Sequence, residues 1–325
     1  MPMVKIVKAD SMHRFLLGPL LALAFSCVGP AAHAQEKLTL MLDWFVNPDH
    51  APLVVALQRG YFADAGLDVE LIAPADPNDP PKLVAAGQAD LAVSYQPQLH
   101  LQAAQGLPLV RIGTLIATPL NSVVVLADGP VKTLADLKGR KVGFSVGGFE
   151  DAVLGRMLQG SGLSLSDVEL VNVNFSLSPA LLSGQVDAVI GAFRNFELNQ
   201  LELEGRPGRA FFPEEHGVPA YDELIFIAHK DRLRDARLPR FLQAVERATL
   251  FMLNHPDEAW DEFRGYRAEL DDELNRRAWA DTLPRFAQSP AALDAGRYRR
   301  FAEFLKEQKL IPEVLPVESY AVTLP

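Results

Sequence analysis

Short apolar runs alternate with stretches whose apolar residues recur at helical spacing along most of this chain of 325 residues. That alternation predicts parallel sheets flanked by helices, because a strand covered on both faces reads as a continuous apolar run. Leu38 to Leu42 reads as a first strand, Pro52 to Asp64 as a helix, and Leu67 to Ile72, beyond the break at Gly66, as a second strand. Pro80-Pro81 opens the next helix, which ends near Gly87, since proline suits the first helical turn and glycine the residue after the last. Ala89 to Ser94 follows as a buried strand.

A weak internal repeat organises the rest. Leu83-Val84-Ala85-Ala86-Gly87-Gln88-Ala89-Asp90 is echoed by Ala180-Leu181-Leu182-Ser183-Gly184-Gln185-Val186-Asp187, each copy a helix end, a Gly-Gln turn and an apolar strand. Two similar α/β lobes follow from it. The apolar strands Ser122 to Leu126 and Leu224 to Ala228 bracket the second copy and mark the expected crossings, so residues 35–124 and 229–325 form one discontinuous lobe and 125–228 the other. Pro239 to Asn254, Asp257 to Tyr266, Asp271 to Thr282 and Ala295 to Lys309 read as amphipathic helices that return to the first lobe. Ligands of open α/β sheets sit at the carboxyl ends of the strands, so Ser94-Tyr95-Gln96 and Phe193-Arg194-Asn195 are expected to face a shared crevice.

The N-terminus departs from this pattern. Lys5, Lys8 and Arg14 precede the apolar run Phe15 to Val28, and Ala32-His33-Ala34 supplies small residues before a cleavage point, so residues 1–34 read as a removed export signal and the mature chain as periplasmic. Gly18, Pro19 and Ser26 interrupt the run, which falls short of the roughly 20 apolar residues a membrane span needs. The single cysteine, Cys27, lies inside that segment, so the mature chain has no thiolate chemistry. Lipid attachment at Cys27 is the lesser alternative, because Ser26 and Ala24 match its signal loosely. The net charge of −10 would become more negative once this basic segment is removed, and no basic run offsets it, which excludes nucleic acid as a partner.

Three loops carry the candidate chemistry. Asp43-Trp44-Phe45-Val46-Asn47-Pro48-Asp49-His50 joins the first strand to the first helix; Asp43 and His50 flank Trp44, which offers a flat π-face, and Asn47, which both donates and accepts hydrogen bonds. Ser145-Val146-Gly147-Gly148-Phe149-Glu150-Asp151 sits between a strand and a helix. Its glycines permit close backbone approach, while Glu150 and Asp151 oppose an anion and suit exocyclic amines. Asn195 and Glu197 follow the second repeat's strand, with Ser94, Tyr95 and Gln96 as their counterparts in the other lobe. The expected ligand-binding set is therefore Asp43, Trp44, Asn47, His50, Ser94, Tyr95, Gln96, Ser145, Gly147, Gly148, Glu150, Asn195 and Glu197. No serine-centred elbow, phosphate loop or histidine pair at metal-ligand spacing is present, so neither catalysis nor a metal or other cofactor is expected.

These stretches resemble the bacterial periplasmic proteins that bind thiamine-pyrimidine precursors, and the related fungal pyrimidine precursor synthases. The similarity runs over roughly residues 37 to 285 and rests on Leu42-Asp43-Trp44 with Pro48 and His50, Arg59-Gly60-Tyr61-Phe62 to Gly66-Leu67-Asp68-Val69, Ser94-Tyr95-Gln96-Pro97, the loop at Gly147, and Asp187 to Glu197. The resemblance implies an α/β, two-lobed periplasmic-binding-protein type II fold, each lobe a mostly parallel sheet flanked by helices. It also implies a monomeric carrier that clamps formylaminopyrimidine or hydroxymethylpyrimidine between its lobes and delivers it to an ABC permease. The synthase branch uses a lysine, a histidine and a cysteine-rich run; their places here fall at Ser94, Gln98 and Leu224 to Ala228, although His50 matches a histidine of that branch. Alternative readings are a binder of riboflavin or of a small sulfonate or nitrate-like anion, for which Arg194 is the obvious cation, an exported synthase-like enzyme, and a sensor domain.

Overall fold

A computed structural model describes residues 34–324; the expected export signal and Cys27 lie outside the described residues. Ten strands form two sheets of five: β1 (Glu36–Met41), β2 (Leu67–Ile72), β3 (Leu91–Ser94), β4 (Leu109–Ile116) and β10 (Leu224–His229) in one, β5 (Asn121–Leu126), β6 (Lys141–Phe144), β7 (Glu169–Asn172), β8 (Ala188–Phe193) and β9 (Gly208–Phe211) in the other. The strand orders, β2-β1-β3-β10-β4 and β7-β6-β8-β5-β9, are the same pattern twice. In each sheet one strand, β10 or β5, runs antiparallel beside the third parallel strand.

The internal repeat has a structural cause. Each copy ends in an aspartate whose carboxylate accepts a backbone N–H from the neighbouring parallel strand: Asp90 from Thr39 at 2.9 Å, Asp187 from Lys141 at 3.0 Å. Gly87 and Gly184 take left-handed φ of 69° and 74° in the turn before it, a conformation that a side chain would strain. The same three-part device therefore sets strand register in both lobes.

Both lobe borders fall earlier than the apolar pattern indicates. β5 belongs wholly to the second sheet and β10 wholly to the first, so the chain crosses over 117–120 and returns between 212 and 223, rather than at 124 and 228. Apolar strands mark core in either lobe and carry no information on which sheet they join. The four amphipathic helices form at Arg237–Asn254, Pro256–Arg264, Glu273–Thr282 and Ala295–Glu307. The longest buries Leu238, Phe241, Leu242, Val245, Ala248 and Met252, one helical stripe, with Phe241 stacked on Phe62 at 5.4 Å and edge-on to Phe226 at 5.1 Å. The C-terminal segment is tied down by Arg111, fully buried, whose guanidinium donates to the Thr114 hydroxyl at 2.8 Å and to the carbonyls of Pro290, Ala292 and Val322.

The crossings are stitched to each other. Glu223, on the returning segment, accepts the N–H groups of Leu120 at 2.6 Å and Asn121 at 2.9 Å on the outgoing one. Its neighbour Asp222 is held in the first lobe by Thr114 at 2.9 Å, by Arg297, and by the Gln96 side-chain oxygen, which accepts its N–H at 2.8 Å. Glu223→Ala would leave two buried N–H groups unpaired and is expected to lower unfolding free energy by about 2–4 kcal/mol, with Glu223→Gln restoring part of it, as read by urea denaturation.

Candidate functional site

Four strand ends converge between the lobes. β1 leads into Asp43, Trp44, Asn47 and Asp49, β3 into Tyr95, β6 into Ser145, Val146 and Glu150, and β8 into Phe196 and Glu197; with Leu177, Gly191 and Phe193 they line a narrow cavity. The second lobe meets the first across it. Trp44 packs edge-on against Phe175 with centroids 4.6 Å apart, Tyr95 stacks on Phe149 at 4.9 Å, and Phe45 approaches Phe196 at 6.1 Å.

Asp43 is the fixed point of the first lobe's wall. One oxygen lies 2.9 Å from His50 Nε2 and the other accepts the Tyr95 hydroxyl at 2.9 Å. His50 Nδ1 in turn accepts the Asn47 N–H at 3.4 Å, which places the ring's N–H at Nε2, aimed at Asp43. Burial, and then the adjacent Asp43 charge, push the Tyr95 phenol far above its usual range, so it remains a donor. Asn47 Oδ1 caps the short turn at Pro48–His50 by accepting the Asp49 N–H at 2.8 Å, and the residue lines the cavity.

The second lobe contributes two carboxyl groups held by main chain. Glu150 Oε2 accepts the Ser145 N–H at 2.9 Å, and Glu197 Oε2 accepts the Phe193 N–H at 2.7 Å. Glu150 fits only because residue 191 is glycine: a Cβ there, on a backbone at φ 94°, would stand 2.4 Å from Glu150 Oε1. Asp49 faces them from the first lobe, its Oδ1 taking the Asn195 amide at 2.6 Å.

No lysine, arginine or histidine lines this cavity among the described residues. Burial outweighs the local hydrogen bonds and raises the acids. Asp49 rises to about 6, chiefly by desolvation, against the lowering pull of His50, Asn195 and Thr282. Glu197 rises to about 8 by desolvation, and Asp49's charge adds to it. Glu150 is pushed well above the carboxylate range by desolvation, which outweighs the N–H groups of Ser145 and Val146.

Of the expected residues, Asp43, Trp44, Asn47, Tyr95, Ser145, Glu150 and Glu197 line the cavity, and six do not. His50 stands fully buried behind Asp43. Ser94 donates to Gln98 Oε1 at 3.1 Å, so the two places where the synthases carry lysine and histidine hold a mutually satisfied polar pair. Gln96 is consumed by the Asp222 N–H and by His100, 3.2 Å away. Gly147 and Gly148 line a separate outer groove, where the Gly147 N–H donates to Asn78 Oδ1 at 3.1 Å. Asn195 lies behind Asp49, its amide bridging Asp49 and Thr282 at 2.6 Å each. Arg194 is held by both Glu214 oxygens and lies over the Phe212 ring at 4.0 Å, outside the cavity. Asp49, Val146, Leu177, Gly191, Phe193 and Phe196 are wall residues absent from the expected set; a glycine inside the apolar run Ala188–Phe193 was the one local sign of a close approach.

The folded chain holds the protons of Asp49, Glu197 and Glu223, the last raised to about 7 by burial, to higher pH than the unfolded chain does. It binds more protons than the unfolded chain through this window, so stability falls as pH rises through about 6, 7 and 8 in turn. The melting temperature of the ligand-free protein is expected to drop across that window, and Glu197→Gln to flatten its upper end; parallel profiles for the two proteins would contradict the assignment.

Comparison with known proteins supplies the lineage. The sequence profile described as NMT1/THI5 like matches residues 47–259. A protein of Haemophilus influenzae named for thiamine biosynthesis is 60% identical over 292 residues, 90% of this chain and 93% of its own. The formylaminopyrimidine-binding protein of Halalkalibacterium halodurans is 37% identical, covering 75% of this chain and 76% of its own. The 4-amino-5-hydroxymethyl-2-methylpyrimidine phosphate synthase of Schizosaccharomyces pombe is 25% identical over 86% and 84%. In structure, the alkanesulfonate-binding protein of Xanthomonas axonopodis pv. citri superposes with a TM-score of 0.70 at 18% identity, over 89% of this chain and 98% of that one. The periplasmic aliphatic sulphonate binding protein of Escherichia coli superposes with a TM-score of 0.67 at 17% identity, over 87% and 96%. With its paired sheets and this match, the chain belongs to the NMT1/THI5-like family and has the two-lobed fold of periplasmic binding proteins.

Proposed function

We propose that this protein is an exported carrier that captures a thiamine-pyrimidine precursor, formylaminopyrimidine or hydroxymethylpyrimidine, between its lobes and passes it unchanged to an ABC permease. The observation that carries this reading is the cavity's chemistry: acids and an amide facing aromatic rings, with no basic side chain among the described residues. An aminopyrimidine answers each feature. Its flat face packs on Trp44 and the neighbouring phenylalanines, and its amino group donates to carboxylate oxygens. The formylaminopyrimidine-binding relative supports the ligand class, and the fold supports a clamp in which both lobes touch one solute.

Carrier rather than synthase is supported by what stands at the synthase positions. Ser94 and Gln98 satisfy each other, and Leu224 to Ala228 is the middle of β10, a buried strand without a cysteine. Residues 1–34 as a cleaved signal, a periplasmic location and a single-copy carrier complete the proposal. Among the described residues no helix is long and apolar enough to cross a membrane. Against the runner-up anion ligand, Arg194 is engaged by Glu214 and no basic side chain lines the cavity among the described residues.

Calorimetric titration and native mass spectrometry of protein purified without refolding should give saturable one-to-one binding of these pyrimidines, with the ligand recovered intact and no binding of alkanesulfonates or nitrate. Glu197→Gln is expected to weaken binding by about 10- to 100-fold through loss of a carboxyl hydrogen-bond partner, and Trp44→Ala by at least about tenfold through loss of stacking. Unchanged affinity in both variants would remove the cavity from consideration as the binding site.

A further inference from the structure

We propose that the cleft takes its ligand as a cation: an amino-substituted aromatic heterocycle protonated on the ring nitrogen beside its amino group, with the cleft's carboxylates as counter-ions. The inference deepens the pyrimidine reading and rests on it.

The hydrogen-bond inventory of the walls leads there. Asp49, Glu150 and Glu197 are 2%, 3% and 8% exposed. Each uses one oxygen to hold its position: Asp49 Oδ1 on Asn195, Glu150 Oε2 on the Ser145 N–H, Glu197 Oε2 on the Phe193 N–H. Asp49 Oδ2 and Glu197 Oε1 enter no hydrogen bond among the described residues, and Glu150 Oε1 lies beside Gly191 on the cavity wall. The main-chain donors of the β6 and β8 ends are thus already spent on the protein's own acids. What remains for a ligand is rich in carboxyl oxygens, with Asn47 and Trp44 as the lining residues of the first lobe whose side chains carry N–H groups.

A neutral aminopyrimidine fits ionised carboxylates only in part. Its amino group donates, but the ring nitrogen beside it carries a lone pair, which an opposing carboxylate oxygen repels. Adding a proton to that nitrogen turns the edge into two parallel N–H donors one bond angle apart, the fork that pairs with a carboxylate as guanidinium does. Charge leads to the same form. A carboxylate withdrawn from water is tolerated when a cation meets it, and the protein places none on this cavity among the described residues. Burial accordingly holds Glu150 and Glu197 toward their protonated forms in the empty cleft, and a cationic ligand relieves that penalty by supplying the missing charge.

The decisive measurement is nitrogen NMR of ring-¹⁵N-labelled 4-amino-5-hydroxymethyl-2-methylpyrimidine bound to the full chain, at a mildly alkaline pH where the free ring is neutral. The resonance of the ring nitrogen beside the amino group is expected to move upfield by tens of ppm, as protonation moves it. A bound resonance at the free neutral position would show that a protonated carboxyl group donates to a neutral ring, and overturns the cation while leaving the pyrimidine reading intact. A second arm uses the analogue in which that ring nitrogen is replaced by C–H, expected to bind at least about tenfold more weakly. Equal affinity for the analogue overturns the proposal as well. If neither compound binds at all, the pyrimidine reading fails, and this inference with it.

Discussion

Carboxyl groups gathered out of water, with no lysine, arginine or histidine on the cavity wall among the described residues, set the terms for the rest of this structure. Such a cluster is unfavourable on its own, and the fold meets the cost by local means. Glu150 and Glu197 each accept a main-chain N–H from the turn after a strand, Asp49 leans on Asn195, and Asp43 is clamped between His50 and Tyr95. These bonds fix where each acid points without neutralising it. On the proposed reading, that residual electrostatic demand is met by the solute, and selectivity then lies in charge as much as in shape.

The same bonds connect recognition to movement. Several cross from one lobe to the other: Asn195 to Asp49 and Thr282, Asn78 to the Ser145 carbonyl at 3.2 Å and the Gly147 N–H, and Asn199 to Asp281 at 2.8 Å. All are short polar contacts at the rim or just behind the wall, each worth on the order of 1 kcal/mol net, so they align the two halves without locking them. On the proposed reading, a solute touching Asp49 from one side and Glu197 from the other contributes to both halves at once and favours their closed arrangement.

Much of this was legible in the chain before any coordinates. The repeat ending in Asp90 and Asp187 announced twin sheets, since identical register-setting chemistry leaves identical residues behind. Strand-end loops announced the cleft, and seven of the thirteen expected side chains do line it. What the residues alone could not reveal was depth. His50, Gln96 and Asn195 have the chemistry of ligand contacts and sit in the right loops, yet each is turned one layer back, where it orients Asp43, Asp222 or Asp49. Which side chain of a polar pair reaches the cavity depends on rotamers and on the opposing lobe, both tertiary properties. Phe196 was missed for the converse reason: an aromatic after a buried strand reads as core until the cavity beside it is seen.

The course of the chain through the two sheets bears on how the molecule is made. The second sheet is contiguous, complete between residues 121 and 211, and its parts can find one another as soon as they exist. The first sheet is not: β10 slots between β3 and β4, so both strands wait with unpaired edges until residue 229 has been synthesised. A nascent chain thus carries an unfinished, edge-exposed half in front of a half that is ready to fold, an order that favours keeping the whole polypeptide extended until it is released entire.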